Sequence, residues 1–354
     1  MKNFKSPNFL CPEQDRADRI FKYVFLVGIV PLIAIGFRLH RIVQTPPIQT
    51  SVISYTDDKS NAVNKQNKAF MRFFRENYRY EDVAISPLAY QYSLYDYDKR
   101  CKRVDDVLFT SFEGGYNNWY DSISYIQDDC IFSLVTGKSD ISDIVTDARS
   151  IEEAISVKTD GYISGNYITD GMLSENSIIS VCSVPYTFGC DTWSVKNKYD
   201  EGYKVVCTGK LGYKEGSKVH SVKIPLSNKD YSCYVVSEKT GGLGSVLEAI
   251  SEEDFDIFND YEEKKMKVSF VESNWLSVGS PAKFISKLGK SEFIYDYNHL
   301  ISICQFDISH NSYQENEAAT SFKSDKEVYF EKDFIVVIVN NKSGNIVLMA
   351  GKND

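Results

Sequence analysis

The chain ends in two apolar runs, Phe334 to Val339 and Ile346 to Gly351, on either side of a polar turn at 340–345. Runs this short and this apolar read as a pair of buried strands around a turn, and they need a sizeable core to lie in. Length and composition can supply it: 354 residues, 43% hydrophobic and 14% aromatic, suit one large domain better than two. A second hairpin lies upstream. Val222, Ile224 and Leu226 alternate with polar residues, Ser227 to Asp230 form a turn, and Tyr231, Cys233 and Val235 alternate again, which predicts one buried face. Ser177 to Val184 reads as a buried strand that ends or bulges at Pro185, because proline cannot donate to a ladder. Helical signals stand between these strands. Phe70, Phe73, Phe74 and Tyr78 form a stripe within 61–80, Ser86-Pro87 is an N-cap followed by a first helical residue, and Gly161 suits a helix end that needs positive φ. Gly241 to Gly244 lacks the Gly-Lys-Ser/Thr of a phosphate loop and reads as a turn before a helix at Ser245 to Ile250. Strands and helices mixed in this way predict an α+β domain over 61–354.

The N-terminal region obeys different physics. Tyr23 to Phe37 carries no charge, and Lys22 and Arg38 flank it, so 20–38 is expected to be a transmembrane signal anchor behind a short cytosolic tail at 1–19. A cleaved signal peptide ending near Ala34-Ile35-Gly36 competes, and a buried core helix is a third reading. Residues 39–60, with Pro46-Pro47, read as a linker. The first two readings place the domain in the secretory pathway, membrane-bound or secreted. There Asn341, in the sequon Asn341-Lys342-Ser343, is a glycosylation candidate. The eight cysteines show no zinc-ligand spacing, and the seven after position 100 leave both disulfides and buried thiols open.

Several functions are disfavoured. A net charge of -9 gives no basic footprint for nucleic acid. Four histidines, His40, His220, His299 and His310, occur in no nucleophile or metalloprotease motif, so no enzyme, metal or cofactor is expected. The acidic stretch 252–263 lacks the spacing of a calcium loop and reads as solvated.

One stretch remains, Ser312-Tyr313-Gln314-Glu315-Asn316-Glu317-Ala318-Ala319-Thr320, continuing to Phe330. It resembles the serpin hinge, in which small residues lead from a central sheet into an exposed bait loop. Other segments follow the family's order: Ser86-Pro87-Leu88 at a helix start, Lys158-Thr159-Asp160-Gly161-Tyr162-Ile163 after a helix, the strand before Phe188-Gly189 and Trp193, Leu288-Gly289 to Phe293, and the final hairpin. The resemblance covers about 61–354. It implies a large mixed central β-sheet, two smaller sheets and about eight or nine helices. It also implies a spring mechanism, in which a protease cuts the loop and the loop inserts as an extra strand.

Against that mechanism, Glu315 and Asn316 replace the small hinge residues, and the insertable set Asn316, Ala318, Thr320, Phe322, Ser324 and Lys326 ends on an ammonium. Only 16 residues separate Glu317 from Phe334, about seven fewer than inhibitory relatives have. At the sheet-opening region Ser86 matches the family, Ala89 stands where a second serine is usual, and Ser183 and Gln305 stand where an asparagine and a histidine bond across the sheet. The expectation is a divergent, non-inhibitory serpin-like protein that binds an unidentified protein partner or ligand. The alternative is a serine or cysteine protease inhibitor using 321–330, with Lys323, Lys326, Tyr329 and Phe330 as candidate scissile positions. A hydrolase is the weakest reading.

Overall fold

The computed structural model describes residues 59–78, 81–90, 92–93, 130–136, 144–145, 147–173, 177–196, 203–239, 243–253, 255–280, 300–308, 322–330 and 333–353. The expected tail, anchor and most of the linker lie outside them. So do the hinge residues Glu315, Asn316, Glu317, Ala318, Ala319 and Thr320, and the segment from Leu288 to Phe293.

The final hairpin forms as its composition requires. β13 (Phe334–Asn340) and β14 (Ile346–Lys352) pair antiparallel, and β13 is buried at all seven positions. They sit inside a nine-stranded sheet. From one edge it runs through β1 (Val83–Ile85), β14, β13, β8 (Tyr231–Glu238), β7 (Val219–Pro225), β6 (Tyr203–Glu215), β9 (Glu262–Val271) and β12 (Lys326–Phe330), while β5 (Asp191–Lys196) also pairs with β6. The hairpin of β7 and β8 forms where its alternation placed it. However, β8 is buried through its first six residues instead of on one face. Its position explains this: Tyr231, Cys233 and Val235 enter one core, and Tyr234 and Val236 enter another beneath α1 (Lys59–Asn77) and α3 (Leu243–Glu252).

A second sheet has five strands in the order β10 (Ser273–Gly279), β11 (Leu300–Ile308), β4 (Ile178–Val184), β2 (Ile131–Thr136) and β3 (Ile144–Val145). It is mixed, since β11 runs parallel to β4 whereas β10 and β2 run antiparallel to their neighbours. Strand β4 stops at Val184, directly before Pro185. Among the bonds that join the sheets, the Trp275 indole donates to Gly351 O at 2.8 Å, and Ala84 N donates to Ser277 Oγ at 2.8 Å.

The two smaller sheets expected from the resemblance are therefore one sheet among the described residues. The cause is the length of β6. Its 13 residues pair with β5 over Tyr203–Thr208, with β7 over Gly212–Glu215, and with β9 from Lys204 to Tyr213, bridging what would otherwise be two ladders.

Helix α2 (Ala148–Lys158) covers the five-stranded sheet. Asp147 caps it by accepting from Ser150 N at 2.8 Å, and Ile151 and Ile155 pack on Ile179, Val181, Ile301 and Ile303. It ends through Asp160 and Gly161, at φ 49° and 80°, with Gly161 N on Ser156 O at 2.7 Å. The acidic stretch after α3 is less solvated than its charge predicts, because Phe255 and Ile257 are buried there.

Candidate functional site

The seam between β4 and β11 is continuous. Cα partners run in register from Ile178 and Leu300 to Val184 and Phe306, with no strand between them. Alternation sorts their side chains onto two faces. Ile179, Val181, Ile301 and Ile303 face α2, whereas Cys182, Val184, Cys304 and Phe306 join Ala84, Leu88 and Ala89 in the core between the sheets.

On the inner face Ser86 does what Ser86-Pro87 predicts. Its Oγ accepts from Ala89 N at 3.0 Å and caps the helical turn that starts at Pro87; it also donates to Val347 O on β14 at 2.6 Å. The missing hydroxyl of Ala89 has a neighbour one turn on. Ser93 Oγ is 2.8 Å from Ala89 O and 2.7 Å from Ser180 Oγ, and Ser180 Oγ donates across the seam to Ile301 O at 3.3 Å. This hydroxyl relay ties the helix to both seam strands. Its serines are common residue types in no recognisable spacing, so nothing in the sequence marks them.

Ser183 and Gln305 are directly opposed in register, but they sit on the α2 face, away from Ser86. Gln305 Nε2 donates to Asn274 Oδ1 at 2.7 Å on β10. The pair that meets Ser86 and Val347 is one residue earlier on each strand. Cys182 and Cys304 are Cα partners, 0% and 2% exposed, and Cys182 Sγ lies 3.7 Å from Val347 O. Burial pushes the Cys182 thiol pKa well above its ordinary value, and the adjoining Cys304 thiol adds to that effect.

The segment expected to hold the scissile positions is divided. Lys323 is exposed and precedes β12. Lys326, Tyr329 and Phe330 belong to β12, paired parallel with Met266, Ser269 and Phe270 of β9. Phe330 is 1% exposed, stacked on Phe270 with ring centroids 5.2 Å apart, edge-on to Phe334 at 6.0 Å and against His220 at 5.5 Å. Tyr329 is 54% exposed, and its hydroxyl donates to Glu327 Oε2 at 2.5 Å. Lys326 lies over the Tyr213 ring and 3.7 Å from Glu215.

His220 lies beneath β12 with its Nε2 buried and without a hydrogen-bond partner among the described residues; burial lowers its pKa. Asn341 occupies an exposed turn, accepting from Ser232 Oγ at 2.8 Å and donating to Lys229 O at 2.9 Å. A disulfide joins Cys190 to Cys207 at the start of the β5–β6 ladder. Cys182, Cys233 and Cys304 are buried thiols. Among the described residues no helix is long and apolar enough to cross a membrane, and the segment 20–38 is not one of them.

No protein-family model and no curated protein matches this sequence. Solved structures do match. SRPN18 of Anopheles gambiae superposes with a TM-score of 0.63 at 13% identity, covering 84% of this chain and 99% of that one. Serpin48 of the insect Tenebrio molitor gives 0.61 at 14%, covering 84% and 99%. Native protease nexin-1, in a structure with heparin, gives 0.57 at 11%, covering 84% and 98%. At these identities the likeness speaks for architecture, and the architecture of this chain is the serpin fold.

Proposed function

We propose that this protein is a non-inhibitory serpin-fold binding protein of the secretory pathway, held at a membrane through 20–38 or secreted. The observation that carries the reading is the docking of β12. Its ladder starts at Lys326, so only the eight residues 318–325 separate Glu317 from the nine-stranded sheet. Fully extended, they reach about 26 Å at roughly 3.3 Å per residue. A loop cut within 321–325 would bring less than that into the β4–β11 seam, with Glu315 and Asn316 at its entrance. Too little chain enters to drag a bound protease across the molecule, and its partner is therefore a protein that is bound without being trapped. The Cys190–Cys207 disulfide, the exposed sequon at Asn341 and the uncharged run 23–37 support an oxidising, extracytoplasmic setting.

Incubation of the purified protein with a panel of serine and cysteine proteases tests this. The expected result is cleavage near Lys323, or no reaction, without any detergent-stable complex. A covalent complex that survives denaturing electrophoresis overturns the reading. It would favour the second one, inhibition through Lys323, which the exposure of that side chain supports.

A further inference from the structure

We propose that Cys182 and Cys304 form a dithiol latch across the β4–β11 seam, which as a disulfide holds the two strands shut. The case begins with register. The two residues are Cα partners on adjacent parallel strands, and both belong to the core between the sheets. Neighbouring strands lie about 4.8 Å apart, inside the window of about 4.4–6.8 Å that a disulfide spans between Cα atoms.

Their surroundings also favour a pair. Both thiols lie in the apolar core that also holds Ala84, Leu88 and Phe306. Cys182 Sγ lies 3.7 Å from a carbonyl, Val347 O, and also meets the Ser86 and Cys304 side chains, while Cys304 Sγ lies 3.9 Å from the Ser302 hydroxyl. Two other buried thiols are present among the described residues: Cys233, on β8 of the nine-stranded sheet, lies opposite Ile224 and Ile338, and Cys130 directly precedes β2, whose Ile131 is a Cα partner of Cys182. The Cys190–Cys207 disulfide closes an antiparallel ladder, where the strands have no reason to part. The Cys182–Cys304 bond would cross the one parallel seam of the five-stranded sheet at which both strands are long and both faces are covered.

The chemistry balances with a low-molecular-weight disulfide, such as oxidised glutathione, as the oxidant. One cysteine loses its proton and its thiolate attacks a glutathione sulfur, releasing glutathione thiolate and leaving a mixed disulfide. The second cysteine, deprotonated in turn, attacks the protein-bound sulfur and releases a second glutathione thiolate. Two protein thiols are oxidised and one small disulfide is reduced to two thiols. Both sulfurs are buried, so the first step needs the strands to separate locally, and the rate of cross-linking reports how often the seam opens. This holds whether or not the protein captures proteases.

The full chain is held in oxidised glutathione near pH 8, and a second sample is refolded from denaturant in the same buffer. Both are capped with N-ethylmaleimide and mapped by mass spectrometry without reduction. A peptide joining Cys182 to Cys304 is expected in at least the refolded sample, and amide exchange in β4 and β11 is expected to slow at least about tenfold in the cross-linked form. Cys182→Ser and Cys304→Ser each remove both effects, whereas Cys233→Ser keeps them. Because the wild type carries the primary readout, misfolding of a variant does not decide the matter. Three results overturn the latch: capped or glutathionylated Cys182 and Cys304 in both samples, a cross-link from either residue to Cys130, or a Cys182–Cys304 bond that leaves exchange in β4 and β11 unchanged.

Discussion

Ser86 uses one hydroxyl for two purposes, capping the helical turn at Ala89 N and pinning that turn to β14 through Val347 O. The first bond is worth about 1 kcal/mol as an N-cap and the second about 1 kcal/mol as a buried hydrogen bond. Ser86→Ala is therefore expected to lower the unfolding free energy by about 2 kcal/mol, read as a lower denaturant midpoint with an unchanged slope. Ser183→Ala, on the other face, should leave the helix cap untouched and cost less. The contrast shows which part of the site was legible in the sequence. A cap is a local pattern, and Ser86-Pro87 announces it. The pair facing that cap is not local. β4 is buried at all seven positions, so no polar alternation reveals which of Cys182 or Ser183 points toward Ser86. The family resemblance points to Ser183 and Gln305, one residue further along each strand, and a one-residue step exchanges the faces completely.

At the scale of the element, β12 decides how much loop is free. It is held by burial of Val328 and Phe330 and by its ladder to β9. Phe330→Ala removes a fully buried ring that stacks on Phe270, a change that costs about 3–5 kcal/mol in a core. Limited digestion with trypsin is expected to spare the bond after Lys326 in the wild type and to cut it in the variant. The same region carries a pH response. Lys239, aided by the Tyr213 hydroxyl, holds the Glu215 carboxyl down to about 2, so Glu215 stays charged across the range in which His220 titrates. Burial, the largest influence on His220, lowers its pKa in the fold; Glu215 opposes this, and Lys239 and Lys326 reinforce it. The unfolded chain, with an ordinary value of about 6.5, then binds the proton first as pH falls. Stability is expected to be fully present above about pH 6.5 and to decline as the pH drops from there toward the folded-state value. His220→Phe should flatten that decline in denaturation curves recorded between about pH 5 and 7. The strand itself was faintly visible in the sequence, since Val328 and Phe330 alternate with Glu327 and Tyr329. The hinge resemblance drew the same residues into the loop instead.

For the whole molecule, the sequence conveyed the order of elements better than their grouping into sheets. Each hairpin is encoded by its own turn and periodicity, but the merging of two sheets depends on β6 having partners at both ends. Its ladder to β9, which holds the two ends together, joins residues far apart in the chain, as Cys207 with Val268. The Cys190–Cys207 disulfide braces one end of this bridging strand. With a sequence separation of 17 it restricts the unfolded chain by about 3 kcal/mol, so reduction is expected to lower the denaturant midpoint by a corresponding amount while the remaining fold persists. The final prediction concerns whether the seam accepts a strand. Insertion of the chain cut after Lys323 would add ladder bonds between β4 and β11 and would bury the alternate side chains of 316–322. Those gains are opposed by breaking the existing in-register ladder, by parting the Ser93–Ser180–Ile301 relay and by bringing Asn316 and then charged side chains into a covered sheet. In the chain cut after Lys323 only the six residues 318–323 follow Glu317 on the piece that can insert. The opposing terms dominate, so the chain cut after Lys323 is expected to melt within about 4 °C of the intact chain, the shift of roughly 1 kcal/mol in a large domain. A calorimetric scan of intact and cut protein measures it, and a much larger upward shift would mean that the cut loop had entered the seam.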